Sequence, residues 1–235
     1  MMLGLMILDQ WWWLMIPGLL LGLYAQFKVS SAYNHYARVP ADNGWTGAQT
    51  AREILDRAGL QNMPIGEVPG HLTDHYDPMK KALFLSSENF HGRSLAALGV
   101  AAHEAGHALQ HKAAYAPMQI RQTIAPVAGF ATNAAMWITF GGYFAGLAFL
   151  QSIIGIAIAV FGVIALFHLV TLPVEFDASR RAKEQLLKLG LIDNREERGV
   201  SRVLNAAALT YVAAMVSSLF TLLHLVMIAR GHDRD

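Results

Sequence analysis

The chain has 235 residues, of which 54% are apolar and only 15% are charged, whereas soluble domains carry roughly 25% charged residues. Its net charge of +1 gives no electrostatic reason to expect a nucleic-acid partner, and the absence of cysteine excludes disulfides, thiolate metal sites and cysteine nucleophiles. The composition therefore indicates a lipid bilayer as a partner, and any metal site has to use histidines and carboxylates.

Four uncharged stretches are each long enough to cross a bilayer as a helix. The second and third adjoin, and we expect a turn near Gln151 and Ser152 to separate them. The predicted spans are at about residues 10–27, 124–149, 152–172 and 204–229. A cleaved signal peptide is the alternative for the first stretch, but residues 1–8 lack the basic side chains of such a peptide.

Lysines and arginines concentrate in the two segments between these spans. Nine of the 18 lie from Lys28 to Arg121, and seven lie from Arg180 to Arg202. Because basic loops stay in the cytoplasm, we predict that segments 28–122 and 173–203 both lie on the cytoplasmic side. The two segments are too small for separate cores, so we expect residues 1–235 to form one integrated domain.

The first cytoplasmic segment contains signals for two helices and short strands. Thr46 is a candidate cap for a helix over Ala48–Ala58 that Gly59 ends, and Ser94 caps a helix to about Lys112. Residues 63–78 are broken by prolines and glycines and are typical of strand and turn. Lys81–Ser86 is a strand candidate that either offers a free edge to an extended substrate or packs against a helix.

The second cytoplasmic segment predicts one helix. Pro173 suits the first turn of a helix, where its missing N–H costs nothing, and Gly190 is typical of a helix end. We therefore expect a helix that begins at about residue 173, directly after the third span, and ends near Gly190.

An H-E-x-x-H motif, His103 to His107, lies inside the helix that Ser94 caps. Residues four apart share one helix face about 6 Å apart along the axis, so the two imidazoles can converge on one ion. Glu104 stands beside them, where it can take a proton from water, and zinc suits such ligands. The alternative is two histidines and a glutamate on a solvated helix face.

A catalytic zinc needs a third protein ligand and one open position. Glu175 is the candidate, because its helix lies on the same side of the membrane as His103. Small residues on both helices would let them approach closely: Gly99, Ala102 and Gly106 on one, Ala178, Ser179 and Ala182 on the other. A solvated glutamate near a helix N-terminus is the alternative. His111 is not expected as a ligand, since three successive turns of one straight helix rarely meet at one point.

Four further residues are candidates for transition-state or substrate contacts. His71, His75 and Tyr76 precede the strand before the metal helix, where a donor would stabilise an oxyanion, although ordinary loop polarity explains them equally well. Arg180 would hydrogen-bond a carboxylate, whereas contact with water or anionic lipid is the more common fate of such a residue.

The motifs together resemble the bacterial membrane neutral zinc metallopeptidases, and the likeness covers nearly the whole chain. The segments that carry it are His103–His111 (HEAGHALQH), Leu172–Ala182 (LPVEFDASRRA), Gly70–Pro78 (GHLTDHYDP) and Leu204–Tyr211 (LNAAALTY). The resemblance implies that His103, His107 and Glu175 bind one zinc ion per chain, with Glu104 as the catalytic base. It also implies a multi-pass protein of the bacterial inner membrane.

The chain is more distantly similar to the heat-shock and prenyl-protein membrane zinc proteases. Those proteases usually carry an aspartate four residues after the ligand glutamate, to support a zinc-bound histidine. This chain has Ser179 there, and Asp177 is not expected to replace that aspartate, because a position two residues further along a helix points elsewhere.

The expected fold class is mainly α, a four-span α-helical membrane protein with a small cytoplasmic zincin-like α+β catalytic region. The expected function is zinc-dependent endopeptidase hydrolysis of peptide or protein substrates at the cytoplasmic membrane face, by analogy in membrane protein quality control.

A non-catalytic scaffold stabilised by zinc is the alternative, and it would need His111 or His71 as a fourth ligand. A metal transporter is disfavoured, since transporter ligands lie within the spans. The sequence leaves substrate and oligomeric state open.

Overall fold

The structure, a computed structural model, describes residues 10–232. These residues are mainly helical with a small sheet, which confirms the predicted class at that level. A short 3-10 turn at Trp12–Met15 is followed by α1 (Ile16–Tyr36), α2 (Gly47–Arg57), β1 (Ile65–Val68), β2 (His75–Asp77), β3 (Ala82–Ser86), α3 (Ser87–His91), α4 (Leu95–Lys112), α5 (Ala116–Ala145), α6 (Leu147–Ser152), α7 (Ile154–Lys188) and α8 (Glu196–His232). Residues 1–8, on which the choice between a span and a signal peptide depends, lie outside the described residues.

The described chain forms two compact units. Residues 26–119 and 173–209 form the first, here called the sheet unit, which contains all three strands. Residues 10–25, 120–172 and 210–232 form the second, here called the helical unit.

The small sheet has the strand order β1-β3-β2. β3 pairs in parallel with β1 and antiparallel with β2, with Tyr76 opposite Leu83. The side chains of Leu83 and Leu85 are fully buried, so β3 runs through the core. Of the two alternatives for this strand, a free edge for substrate is wrong, because β3 has a neighbour on each side and β1 and β2 are the edge strands.

Local capping explains where the helices of the sheet unit begin. Thr46 and Gln49 form a reciprocal capping box at the start of α2, and Gly59, at φ 72°, follows its end. Ser94 accepts a hydrogen bond from the backbone N–H of Ala97 and so caps α4. Both predicted caps are confirmed. α4 is buried along most of its length, which places the H-E-x-x-H motif in the core of the unit.

Two helices among residues 10–232 are long and apolar enough to cross a membrane. They are Ile154–Lys188 and Glu196–Arg230, which contain residues 154–172 of the third predicted span and all of the fourth. The first two predicted spans also fall on helices, but neither of those helices is one of these two.

The predicted helix start at Pro173 is wrong, because α7 runs without interruption from Ile154 to Lys188. Proline inside a helix removes one hydrogen bond, a loss that neighbouring polar groups compensate in membrane helices. The end near Gly190 is confirmed, with Gly190 at φ 65°. The turn expected near Gln151 and Ser152 is a longer connection, which starts at Gly146 (φ 84°), includes α6 and ends at Ile153.

The helical unit exposes many large apolar side chains. Phe130, Trp137 and Phe144 are each more than two-thirds exposed. Soluble monomers rarely expose contiguous apolar surface of this kind, whereas a bilayer covers it favourably. Inside the unit, small residues allow close contact, as where the backbone of Gly18 packs against Ser217.

Candidate metal centre

His103 and His107 lie one turn apart on α4, as the motif requires. Their rings are 4.8 Å apart between centroids and nearly perpendicular, at 83°. His107 is buried and His103 is partly exposed. The alanines and leucines around them favour a helix and bury its other faces, so the two imidazoles are held on a rigid element.

Glu175 reaches the same point from α7 and is almost wholly buried. Its helix comes close to α4 because Gly106 has no side chain, and a Cβ at that position would lie 2.6 Å from the carbonyl oxygen of Ala178. The predicted close approach of two small-residue faces is present at this pair. Gly99 instead faces the side chain of Val200 on α8.

The donor atoms of these three residues converge. Glu175 Oε2 lies 3.3 Å from His103 Nε2 and 3.7 Å from His107 Nε2, and the three ligand atoms lie within 4.8 Å of one another. Zinc bonds of 2.0–2.2 Å in a tetrahedron put neighbouring ligand atoms roughly 3.4 Å apart. Two imidazoles and one carboxylate at these separations fit zinc, so the group can bind a metal ion.

Each histidine has a partner on its other ring nitrogen. Ser179 Oγ lies 3.1 Å from His103 Nδ1, so a hydroxyl contacts this histidine. Gln110 Oε1 lies 3.0 Å from His107 Nδ1. Such partners orient ligand histidines and leave their Nε2 atoms directed at the metal position.

Glu104 is buried beside the two histidines. Burial raises the pKa of its carboxyl group to about 7; the charge of His103 opposes this shift, and the carboxylates of Glu175 and Asp74 add to it. The backbone N–H of Tyr76, on edge strand β2, donates a hydrogen bond to the same carboxylate and lowers its pKa. The carboxylate of Glu104, on α4, is thus held against edge strand β2.

The remaining candidate residues are engaged elsewhere. His71 Nδ1 lies 2.8 Å from Glu88, and His75 Nδ1 lies 2.8 Å from the carbonyl of Thr73. Arg180 forms ion pairs with Asp177 and Glu184 on its own helix. These residues are not part of the histidine–glutamate group, and their suggested contacts with a substrate stay predictions.

Tyr76 hydrogen-bonds to His111, with 2.7 Å between its hydroxyl oxygen and His111 Nδ1. Burial raises the pKa of Tyr76 to about 12, so the phenol keeps its proton at neutral pH. Among residues 10–232, His103, His107 and Glu175 form the one group of three or more histidines and acidic residues able to hold a metal, and neither His111 nor His71 joins it. A fourth protein ligand of that kind, which the scaffold alternative needs, is therefore not seen in the described chain.

Comparisons with known proteins agree with this geometry. The sequence profile of a family described as "Putative neutral zinc metallopeptidase" matches residues 11–230. The chain belongs to this family. A Bacillus subtilis (strain 168) protein named "Putative membrane protease YugP" is 49% identical over 223 residues, which cover 94% of this chain and 98% of that protein. No solved structure matches the chain. The resemblance drawn from the motifs is thus confirmed.

Two features of the site were not predicted from the sequence of this family member. Gln110 has no predicted role, because its partners Val174 and Asp177 lie 64 and 67 residues further along the chain. Asp74 was not singled out either. Its carboxylate accepts hydrogen bonds from Ser86 and Asn89, and only the folded chain brings these residues together.

Proposed function

We propose that this chain is a membrane-embedded zinc-dependent endopeptidase, which hydrolyses peptide bonds at the cytoplasmic face of the bacterial inner membrane. The observation that carries the proposal is the convergence of His103, His107 and Glu175 with the buried carboxylate of Glu104 beside them. Two imidazoles and a carboxylate leave one position of a tetrahedron open, as in catalytic zinc sites.

The roles of the protein groups follow from their positions. His103, His107 and Glu175 would hold the ion, and a bound zinc would supply a Lewis acid for the scissile carbonyl. Glu104 takes a proton from the attacking water and passes it to the leaving amine. β2 is an edge strand next to Glu104, and we propose that an extended peptide substrate lies along this edge.

The membrane location rests on separate observations. Two helices are long and apolar enough to span a bilayer, the helical unit exposes large apolar side chains, and the similar B. subtilis protein is named as a membrane protease. The basic residues of segments 28–122 and 173–203 support a cytoplasmic site, and we retain four spans as part of the proposal. Quality control of membrane proteins is the role that we propose by analogy.

Metal content and hydrolysis, measured together on detergent-purified protein, test the function. We expect about one zinc per chain in the wild type and in Glu104→Gln, and much less in Glu175→Ala. Cleavage of fluorescein-labelled β-casein should require zinc and should fall by about 10²- to 10⁴-fold in Glu104→Gln, which loses the proton-transfer group. Full zinc in Glu175→Ala would show that the third ligand is misassigned. Undiminished cleavage by Glu104→Gln would remove the proposed base.

A further inference from the structure

Gln110 is completely buried and makes three hydrogen bonds with its side-chain amide. Its Nε2 lies 2.8 Å from the backbone carbonyl oxygen of Val174 and 2.9 Å from Asp177 Oδ2, both on α7. Its Oε1 lies 3.0 Å from Nδ1 of His107, on its own helix. One side chain therefore links the two helices that carry the candidate zinc ligands.

The direction of these bonds fixes which way the amide faces. A backbone carbonyl and a carboxylate only accept, so both must face the NH₂ group of Gln110. The amide oxygen is then the atom that faces His107, and an oxygen needs a donor opposite it. His107 must therefore carry a hydrogen on Nδ1, and Nε2 is the ring nitrogen that faces Glu175, at 3.7 Å from its Oε2.

The acceptor on α7 is itself held in place. Asp177 receives hydrogen bonds from Arg181, at 2.6 Å, and from Arg180. Although burial favours its neutral form, these bonds and that from Gln110 hold the pKa of Asp177 below its ordinary value. Rotation of the Gln110 amide would place its oxygen against the oxygens of Val174 and Asp177, so one orientation is favoured.

His103 has different partners. A hydroxyl such as that of Ser179 both donates and accepts, so its contact with His103 Nδ1 does not by itself select a tautomer. Glu175 Oε2 lies 3.3 Å from His103 Nε2 and only accepts, so it favours a hydrogen on that nitrogen. In the metal-free chain the partners of the two histidines therefore favour hydrogens on different ring nitrogens.

We propose that Gln110 is a positioning residue, which holds His107 as its Nδ1–H tautomer before any metal binds and ties the ligand-bearing helices α4 and α7 together. Asp177 acts through Gln110, so an aspartate–glutamine–histidine chain supports His107 in this protein. The part of the proposal that concerns zinc rests on the function proposed above, whereas the tautomer is a property of the metal-free chain.

The test compares metal-free wild type with Gln110→Met, a side chain of similar length without the amide. In ¹⁵N-histidine NMR spectra, with His107 identified by the signals lost in His107→Asn, wild type should show a protonated Nδ1. Gln110→Met should shift His107 to a tautomer mixture or to Nε2–H. Gln61→Met is the matched control, since Gln61 is exposed and bonds only to the carbonyl of Asp56 among the contacts that the structure shows for it.

Zinc affinity, measured by competition with a chromophoric chelator, supplies the second readout. Loss of a partner that orients a ligand histidine should weaken zinc binding about 10- to 100-fold in Gln110→Met. Gln61→Met should match wild type in both measurements, and a change there would overturn the assignment because the effect would not be specific to Gln110.

The outcomes separate this proposal from the proposed function. A wild type that binds zinc, with His107 protonated on Nε2 or with a spectrum that Gln110→Met leaves unchanged, would overturn the role of Gln110 alone. A wild type that binds no zinc would overturn the proposed function, while the spectra of the metal-free proteins would still decide the tautomer.

Discussion

Replacement of Gly106 by alanine tests whether the close approach of α4 and α7 builds the metal centre. The added Cβ would lie 2.6 Å from the carbonyl oxygen of Ala178 and 3.3 Å from that residue's Cα. These are backbone atoms of a packed helix, so neither can rotate away. Ordinary contact begins at 3.4 Å, and the helices would therefore have to separate locally by about 0.8 Å, the difference between 3.4 Å and 2.6 Å.

Such a shift exceeds what a zinc site tolerates, since ligand distances hold to within about 0.2 Å. Overpacking of this kind costs about 1–3 kcal/mol. If the helices of the metal-free variant separate to relieve this strain, zinc binding must bring them together again. The strain energy is then subtracted from the binding free energy, and zinc affinity should fall roughly 5- to 150-fold. Thermal stability is a poorer readout, because alanine also gains about 1 kcal/mol of helix propensity over glycine.

Zinc affinity by chelator competition is therefore the assay, and Gly99→Ala is its control. Gly99 lies seven residues earlier on the same helix, where a Cβ would meet Cγ1 of Val200 at 3.2 Å, so a side chain has to give by only a few tenths of an ångström. We expect Gly99→Ala to bind zinc within about twofold of wild type, because no backbone has to move. Wild-type affinity in Gly106→Ala would refute the argument that a glycine at this contact is required.

Three further predictions concern the sheet unit and its location. Thr46→Ala removes the capping box with Gln49 and should lower the free energy of unfolding by about 1 kcal/mol in denaturant titrations. Asp74→Ala removes the acceptor of the Ser86 hydroxyl and should cost about 1.5–3 kcal/mol in the same assay; an unchanged midpoint would contradict this. Met79→Cys, at a position 92% exposed in a chain without other cysteines, should react with an impermeant maleimide only after the inner membrane is opened; labelling of intact spheroplasts would contradict a cytoplasmic site.

The sequence predicted features that depend on local spacing. Thr46 and Ser94 cap helices through bonds to residues three positions away, so a short window of sequence contains the whole interaction. The two histidines of the motif share a face for the same reason. The prediction for Glu175 depended on the number of spans, which put its helix on the same side of the membrane as His103. In the structure its carboxylate lies within reach of His103 and His107.

The sequence could not predict features that depend on which elements meet. The order of the strands makes β3 central, although its own residues fit an edge strand equally well. Pro173 is a typical first-turn residue, yet α7 passes through it. Gln110 acquires its role from a carbonyl and a carboxylate on another helix, which no pattern within α4 reveals.

The arrangement of α7 around Ala178 explains how one helix serves both histidines. Ala178 faces Gly106 at the contact, and at about 100° per residue Glu175 and Ser179 lie about 60° and 100° to one side of it. Asp177 lies about 100° to the other side. On the first side, Glu175 is the candidate ligand and Ser179 contacts His103. On the other side, Asp177 reaches His107 through Gln110. An aspartate at position 177 therefore cannot contact His103 as the residue at position 179 does. Its place on the other side of α7 brings it to Gln110 instead.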